Sequence, residues 1–259
     1  MSRVKDHKPD RPTWFDLATS DPEKARHFYK SVLGWDYDVS GPEFGGYAMA
    51  KCGEDVAAGI GSLQPGDPSP PAWTVYFGVT DADATVAKIT AKGGKVLAPT
   101  MDIGEFGRMA VCQDPTGGVF GLWQPKQHRG AGILNEPGGM AWSEVNTRDP
   151  KTAAAFYCDV FGLTEEVMEM QGAAYHMLMT AEGPACGVLE MTAEWGDMPP
   201  HWMAYFAVTD ADEAKAKVIA GGGSVPFGPF DSPYGRIIVA QDPQGAAVSL
   251  IQLADGPPA

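Results

Sequence analysis

Asp16 lies two residues after Trp14, and Glu144 lies two residues after Trp142. Residues two apart on a strand share a face, so each acid shares a face with an indole. A buried carboxylate is costly unless something pairs it. Two readings are open for Asp16 and Glu144. Each could hydrogen-bond the backbone or the neighbouring tryptophan N–H. Each could instead meet a ligand, acting as a general base with a raised pKa. Glu190 falls on the expected fourth strand of the second half, and His176 on a middle strand. His201 is two residues before Met203 and shares its face. Carboxylate and imidazole are donors for a divalent metal. Glu144, Glu190 and His201 therefore form a candidate metal cluster, unless they bond backbone, water or ligand. Arg108 and Arg236 each follow a glycine at the start of a hairpin strand. They could clamp an anionic or carbonyl-bearing ligand or pair with a surface acid. Trp14, Trp73, Trp142 and Trp202, with Tyr205, suit either an aromatic ligand-binding surface or plain core filling.

These residues are positioned by a repeat. WFDLATSDPEKARHFYKSVLGW from Trp14 matches WSEVNTRDPKTAAAFYCDVFGL from Trp142 at an offset of 128 residues. WTVYFGVTDAD from Trp73 matches WMAYFAVTDAD from Trp202, and GRMAVCQDPTG from Gly107 matches GRIIVAQDPQG from Gly235. Asp21-Pro22 and Asp149-Pro150 predict helix starts, with Asp capping free N–H groups and Pro at the first position. The aromatic pairs Phe28-Tyr29 and Phe156-Tyr157 fall on the apolar helix face and read as core. Gly34 and Gly162 predict left-handed helix ends. Further helices are expected over Ala82–Ala91 and Ala211–Ala220, each after a short strand and closed by glycines. Asp114–Gly117 and Asp242–Gly245 predict type I turns joining hairpins. Each half thus reads as strand, helix and three strands, twice over. The fold class is α+β, built from four βαβββ modules. Expected boundaries are a loose tail over 1–12, a first domain over 13–125, a linker over 126–139, a second domain over 140–253 and a tail over 254–259.

The formal net charge is −14, which repels phosphate backbones and anionic membranes. Nucleic acid and membrane are therefore not expected partners. No apolar run reaches the length of a membrane span, and the first residues carry no apolar signal segment, so a cytoplasmic protein is expected. The spacing of Cys52, Cys112, Cys158 and Cys186 suggests reduced thiols, with neither a disulfide scaffold nor a zinc site. There is no GxSxG elbow, P-loop or dinucleotide fingerprint.

The order strand, DP-helix, FY, VTDADA, GG and DPxG resembles the vicinal oxygen chelate superfamily, which holds glyoxalases, bleomycin-resistance proteins and extradiol dioxygenases. The resemblance covers Trp14 to Leu253. It implies two tandem glyoxalase-like domains with cupped, incompletely closed mixed β-sheets. Each cup would hold a small molecule, often beside a divalent metal such as Zn, Ni, Fe or Mn. The family's metal ligands would fall on Trp14 and Trp142, on Thr74 and Met203, and on Gly121 and Ser249. Those residues cannot replace imidazole or carboxylate donors, so a metal is either not required or displaced towards Glu144, Glu190 and His201. The resemblance implies a glyoxalase-like enzyme, of lyase or isomerase type, acting on an oxygenated metabolite. Asp16, Glu144 and His201 are its candidate catalytic residues. The alternative is a metal-free protein that sequesters a metabolite or antibiotic. A monomer of two paired domains or a weak homodimer is expected, with the second cup favoured as the active one.

Overall fold

The structure is a computed structural model and describes residues 4, 6–64, 66, 68–170 and 172–254. The first half runs β1 (Arg11–Thr19), α1 (Pro22–Leu33), β2 (Asp36–Val39), β3 (Ala48–Cys52), β4 (Asp55–Ser62), β5 (Ala72–Gly78), α2 (Ala82–Ala91), β6 (Lys95–Ile103), β7 (Gly107–Gln113) and β8 (Val119–Pro125). The second half repeats it: β9 (Met140–Thr147), α3 (Pro150–Phe161), β10 (Thr164–Met170), β11 (Ala173–Thr180), β12 (Gly183–Glu190), β13 (His201–Ala207), α4 (Ala211–Ala220), β14 (Ser224–Ser232), β15 (Gly235–Gln241) and β16 (Ala247–Leu253). Four βαβββ modules are present, as the repeat predicts.

The helix punctuation works as its residue types demand. The Asp21 carboxylate accepts from Lys24 N at 3.1 Å, and the Asp149 carboxylate accepts from Thr152 N at 3.1 Å. Gly34 (φ 75°) and Gly162 (φ 68°) end their helices in the left-handed region, where a side chain would be strained.

Each half forms one curled eight-stranded mixed sheet. The orders are β2-β3-β4-β1-β5-β8-β7-β6 and β10-β11-β12-β9-β13-β16-β15-β14. β1 and β5 pair antiparallel and join two modules, while β1 pairs parallel with β4 and β5 with β8. β9, β12, β13 and β16 repeat this arrangement. Alternation then divides every strand between a cup face and a helix face. Asp16 stands beside Gly59 and Thr74 on one cup face, and Glu144 beside Gly187 and Met203 on the other.

The helix faces of the two halves share one core. Phe77 stacks on Phe161 at 4.3 Å, and Phe206 meets Phe15, Trp35 and Trp73 edge-on. Two reciprocal polar chains cross this core. Trp202 Nε1 donates to Tyr157 Oη at 2.9 Å, and Tyr157 Oη donates to Asp114 Oδ2 at 2.7 Å. Trp73 Nε1 donates to Tyr29 Oη at 2.9 Å, and Tyr29 Oη donates to Asp242 Oδ2 at 3.2 Å. The tyrosine of each FY helix thus reaches the DPxG turn of the other half. The FY pairs are core, as expected.

The described part of the N-terminal tail is bound, contrary to the expectation of a loose one. Arg11 and Pro12 belong to β1, Val4 N donates to Gly132 O and Asp10 N to Gly78 O. The segment after β8 is likewise fastened: Ala131 N donates to Thr13 O, and Gly138 N to Ala207 O. Residues 255–259 of the expected C-terminal tail lie outside the described residues.

Candidate functional site

The C-terminal cup holds a cavity of about 810 Å³. Its floor is Glu144 on β9, with Trp142 two residues before it on the same face. Tyr205 Oη donates to Glu144 Oε1 at 2.6 Å, and Tyr175 Oη donates to Glu144 Oε2 at 2.9 Å. Trp142 Nε1 donates in turn to Tyr175 Oη at 2.7 Å. Gly187 makes room for this: a Cβ there would stand 2.0 Å from Tyr175 Oη. Burial raises the Glu144 carboxyl above its ordinary range, and the two tyrosine O–H groups pull partly against that.

The walls are apolar and adaptable. Met140, Met168, Met170, Met177 and Met179 line the cavity with Phe230, Tyr234, Ile237 and Ile251. Methionine fits irregular surfaces because its chain is unbranched and polarisable. The Asp, Glu, Lys, Arg or His side chains of the lining are Glu144, Glu166 and Arg11, the last reaching in from β1 of the other half. A smaller pocket of about 180 Å³ lies between α1 and α4 and contains no residue of either cup.

The N-terminal cup repeats the floor with one methylene less. Asp16 is hydrogen-bonded by Tyr47, which pairs with Trp14, while Tyr76 lies beside them. Burial pushes the Asp16 carboxyl up to about 7. A Cβ at Gly59 would stand 1.8 Å from Tyr47 Oη, and one at Gly121 would stand 2.1 Å from the Tyr76 ring. His128 packs against Trp14 with ring centroids 4.3 Å apart, and Trp123 covers its other side at 5.4 Å. Burial lowers the His128 imidazole to about 4, so it is a neutral filler of this cup.

Several expected site residues point elsewhere, and strand parity explains each. Trp73 and Trp202 neighbour the cup residues Thr74 and Met203, so they face the helices and enter the inter-domain chains above. They do not line a cup. Arg108 is registered with Gln124, whose Oε1 caps the start of α2, and its Nη1 donates to Asp83 at 2.7 Å. Arg236 is held by Asp212 at 2.9 Å and Asp231 at 3.0 Å. Both arginines sit on the helix side of their sheets, away from the cups.

The displaced metal cluster also fails on parity. Glu190 is registered with Thr147, on the opposite face from Glu144, and accepts from Ala174 N at 3.2 Å. His201 faces the cup but lies beyond Met203. Its Nδ1–H donates to Pro199 O at 2.9 Å, and its Nε2 meets Asn146 Nδ2 at 3.1 Å. His176 faces the helices and is paired with Glu165. Among the described residues no three His, Cys, Asp or Glu side chains converge. The family's ligand positions hold Trp, Thr, Met, Gly and Ser, and both Glu144 oxygens accept from tyrosines. This donor set does not fit a divalent metal.

Sequence reasoning missed Tyr175 as a functional candidate, and Tyr47 and Tyr76 as parts of the matching N-terminal floor. Their signal was available: Tyr47 and Tyr175 recur at the offset of 128, as do Gly59 and Gly187.

Known proteins place the fold. A family model described as the Glyoxalase/Bleomycin resistance protein/Dioxygenase superfamily matches residues 11–122 and 139–250. The chain is 41% identical over 260 residues to a Mycobacterium tuberculosis protein named "Putative glyoxylase CFP32", covering 98% of this chain and 99% of that one. It is 35% identical over 267 residues to the anthracycline biosynthesis protein DauV of Streptomyces sp. (strain C5), covering 97% and 96%. The Mn(II)-bound glyoxalase from Novosphingobium aromaticivorans shares the fold at a TM-score of 0.66 and 14% identity, covering 97% of this chain and 85% of that one. The 2,3-dioxygenase LapB from Pseudomonas sp. KL28 shares it at 0.66 and 17%, covering 95% and 93%. With both of its repeats matched, this chain belongs to the glyoxalase/bleomycin resistance protein/dioxygenase superfamily.

Proposed function

We propose that the C-terminal cup is the working site and that Glu144 exchanges a proton there with a small, mostly apolar, oxygenated molecule. The single observation carrying this reading is the Glu144 floor. A carboxyl buried under an apolar cavity, with one tyrosine O–H on each oxygen, is a group whose proton affinity is set by its surroundings. In its ionised form Glu144 takes a proton from a carbon beside a carbonyl. Tyr175 and Tyr205 keep the carboxylate oriented and share its charge. On an α-hydroxy carbonyl, returning the proton to the carbonyl carbon while the hydroxyl proton passes to the carbonyl oxygen completes an isomerisation; expelling a leaving group with its bonding electrons from the β-carbon instead leaves a carbon–carbon double bond and completes a lyase step. Asp16 and His128 give the N-terminal cup a structural part. The name of the 35%-identical relative, an anthracycline biosynthesis protein, suits an oxygenated aromatic ligand. Four free cysteines suit a reducing cytoplasm.

A second reading is favoured by the methionine-rich wall: binding without turnover, which needs no proton transfer. The two readings separate with 2-tetralone carrying deuterium beside its carbonyl, incubated at stoichiometric protein and followed by mass spectrometry. Label lost with wild type and kept with E144Q supports the enzyme. Label kept, with saturable quenching of Trp142 fluorescence, supports sequestration. Neither exchange nor quenching sinks both.

A further inference from the structure

Arg11 is the cation of the C-terminal cavity wall, and the N-terminal half supplies it. It begins β1, opposite Gly78, and extends across the seam to the β11–β12 hairpin. There Nη2 donates to Thr180 Oγ1 at 3.4 Å and to Glu182 Oε2 at 3.2 Å, both long contacts. Glu182 is exposed and already paired with Lys8. Arg11 Nε is buried and has no hydrogen-bond partner. The Arg11 guanidinium lines a large apolar cavity, has long contacts at Nη2 and no partner at Nε, so a small turn of the group would bring two parallel N–H groups to carboxylate or enolate oxygens in the cavity.

The charge inventory narrows the ligand. Against one cation stand two acids, Glu144 and Glu166, so the cavity disfavours any molecule with two or more negative charges. A peptide thiol adduct, with two carboxylates and an ammonium, would leave charges unpaired against methionine and aromatic walls. The volume suits a drug-sized ligand, and Trp142, Tyr175, Tyr205, Phe230 and Tyr234 make part of the lining aromatic.

We propose that this cavity selects a flat, fused-ring ligand bearing a single anionic group, and that Arg11 is the specificity-determining residue that receives it. This rests on the C-terminal cup being the ligand site. It also gives the tandem arrangement a purpose: the second cup is incomplete without the first strand of the first repeat.

The test is a fluorescence titration of wild type and R11M with anthraquinone-2-carboxylate and its neutral isostere anthraquinone-2-carboxamide. Wild type is expected to prefer the carboxylate by at least ten-fold, and R11M to lose that preference while binding the carboxamide unchanged. E182Q, a change at an exposed position, frees Arg11 and is expected to tighten carboxylate binding several-fold. Equal wild-type affinity for the two probes overturns the proposal, as does a preference that survives in R11M. Weaker carboxylate binding by E182Q, or S-lactoylglutathione binding as tightly as the carboxylate, also overturns it. Failure of the catalytic reading looks different: E144Q then exchanges label like wild type, while the Arg11-dependent preference persists.

Discussion

Replacing Tyr205 by Phe removes the 2.6 Å hydrogen bond to Glu144 Oε1 and leaves that oxygen buried without a donor. A hydrogen bond to a charged group contributes about 1.5–3 kcal/mol. The O–H stabilises only the ionised carboxylate to that extent, so its loss shifts the Glu144 proton equilibrium by about ten- to a hundred-fold towards the acid. The direction adds to the effect of burial, which already raises this group. A group whose folded pKa is raised binds more protons in the folded than in the unfolded state. Its contribution to stability is therefore lost as pH rises from the unfolded value through the folded one. Y205F then carries a smaller, pH-independent loss in acid, where Glu144 is protonated in both and Oε1 lacks its donor, and falls further behind as pH increases. Carboxyl ¹³C NMR of glutamate-labelled protein, with E144Q to assign the resonance, follows the midpoint directly. Urea titrations at several pH values follow the stability. A Glu144 midpoint that stays put or moves to lower pH in Y205F would rule out this role for the Tyr205 hydrogen bond, and so would a destabilisation independent of pH.

Y157F, Y29F, G187A and D16N extend the same geometry to the rest of the molecule. Y157F leaves the Trp202 N–H and an Asp114 oxygen buried and unpaired, which costs about 2–4 kcal/mol in urea unfolding. Y29F costs less, because its contact to Asp242 is 3.2 Å against 2.7 Å for Tyr157 to Asp114, and the double variant sums the two unless the seam fails as a unit. G187A pushes a methyl into Tyr175 and destabilises by about 1–3 kcal/mol; a Trp142 emission spectrum identical to wild type would show that Tyr175 had not moved. D16N removes a carboxyl raised to about 7, whose neutral form the fold prefers. Its stability gain over wild type is absent near pH 4, grows through pH 7 and levels off above, to at most about 4 kcal/mol; a gain that is the same at pH 4 and pH 8 would count against the burial of Asp16.

The elements were legible because their signals are local. Asp-Pro starts, glycine ends and the 128-residue offset predict the four helices and the modules around them, and α2 and α4 match the expected bounds. The site was legible only where parity was followed to its end. Glu144 and Trp142 share the cup face because the two are two residues apart. Trp73 and Trp202 fail as ligand contacts because each is one residue from a cup position. Arg108 and Arg236 fail for the same reason, since their strands turn alternate residues to the helices. Glu190 requires more than parity within one strand: its face depends on the β12–β9 register. The Tyr175 and Tyr205 grip on Glu144 also joins three strands, and a pattern along one strand does not reveal it. Arg11 lay in a stretch read as tail because its partners belong to the other half.

The most direct measurement is a ¹³C-methyl methionine spectrum of the metal-stripped protein titrated with anthraquinone-2-carboxamide. Met168, Met170, Met177 and Met179 line the C-terminal cavity, whereas Met49 and Met109 face the N-terminal cup. A ligand site in the C-terminal cup requires saturable shifts of the first four, with Met49 and Met109 unmoved. Shifts confined to Met49 and Met109, or shifts of the first four that arise only after a divalent metal is restored, would contradict it.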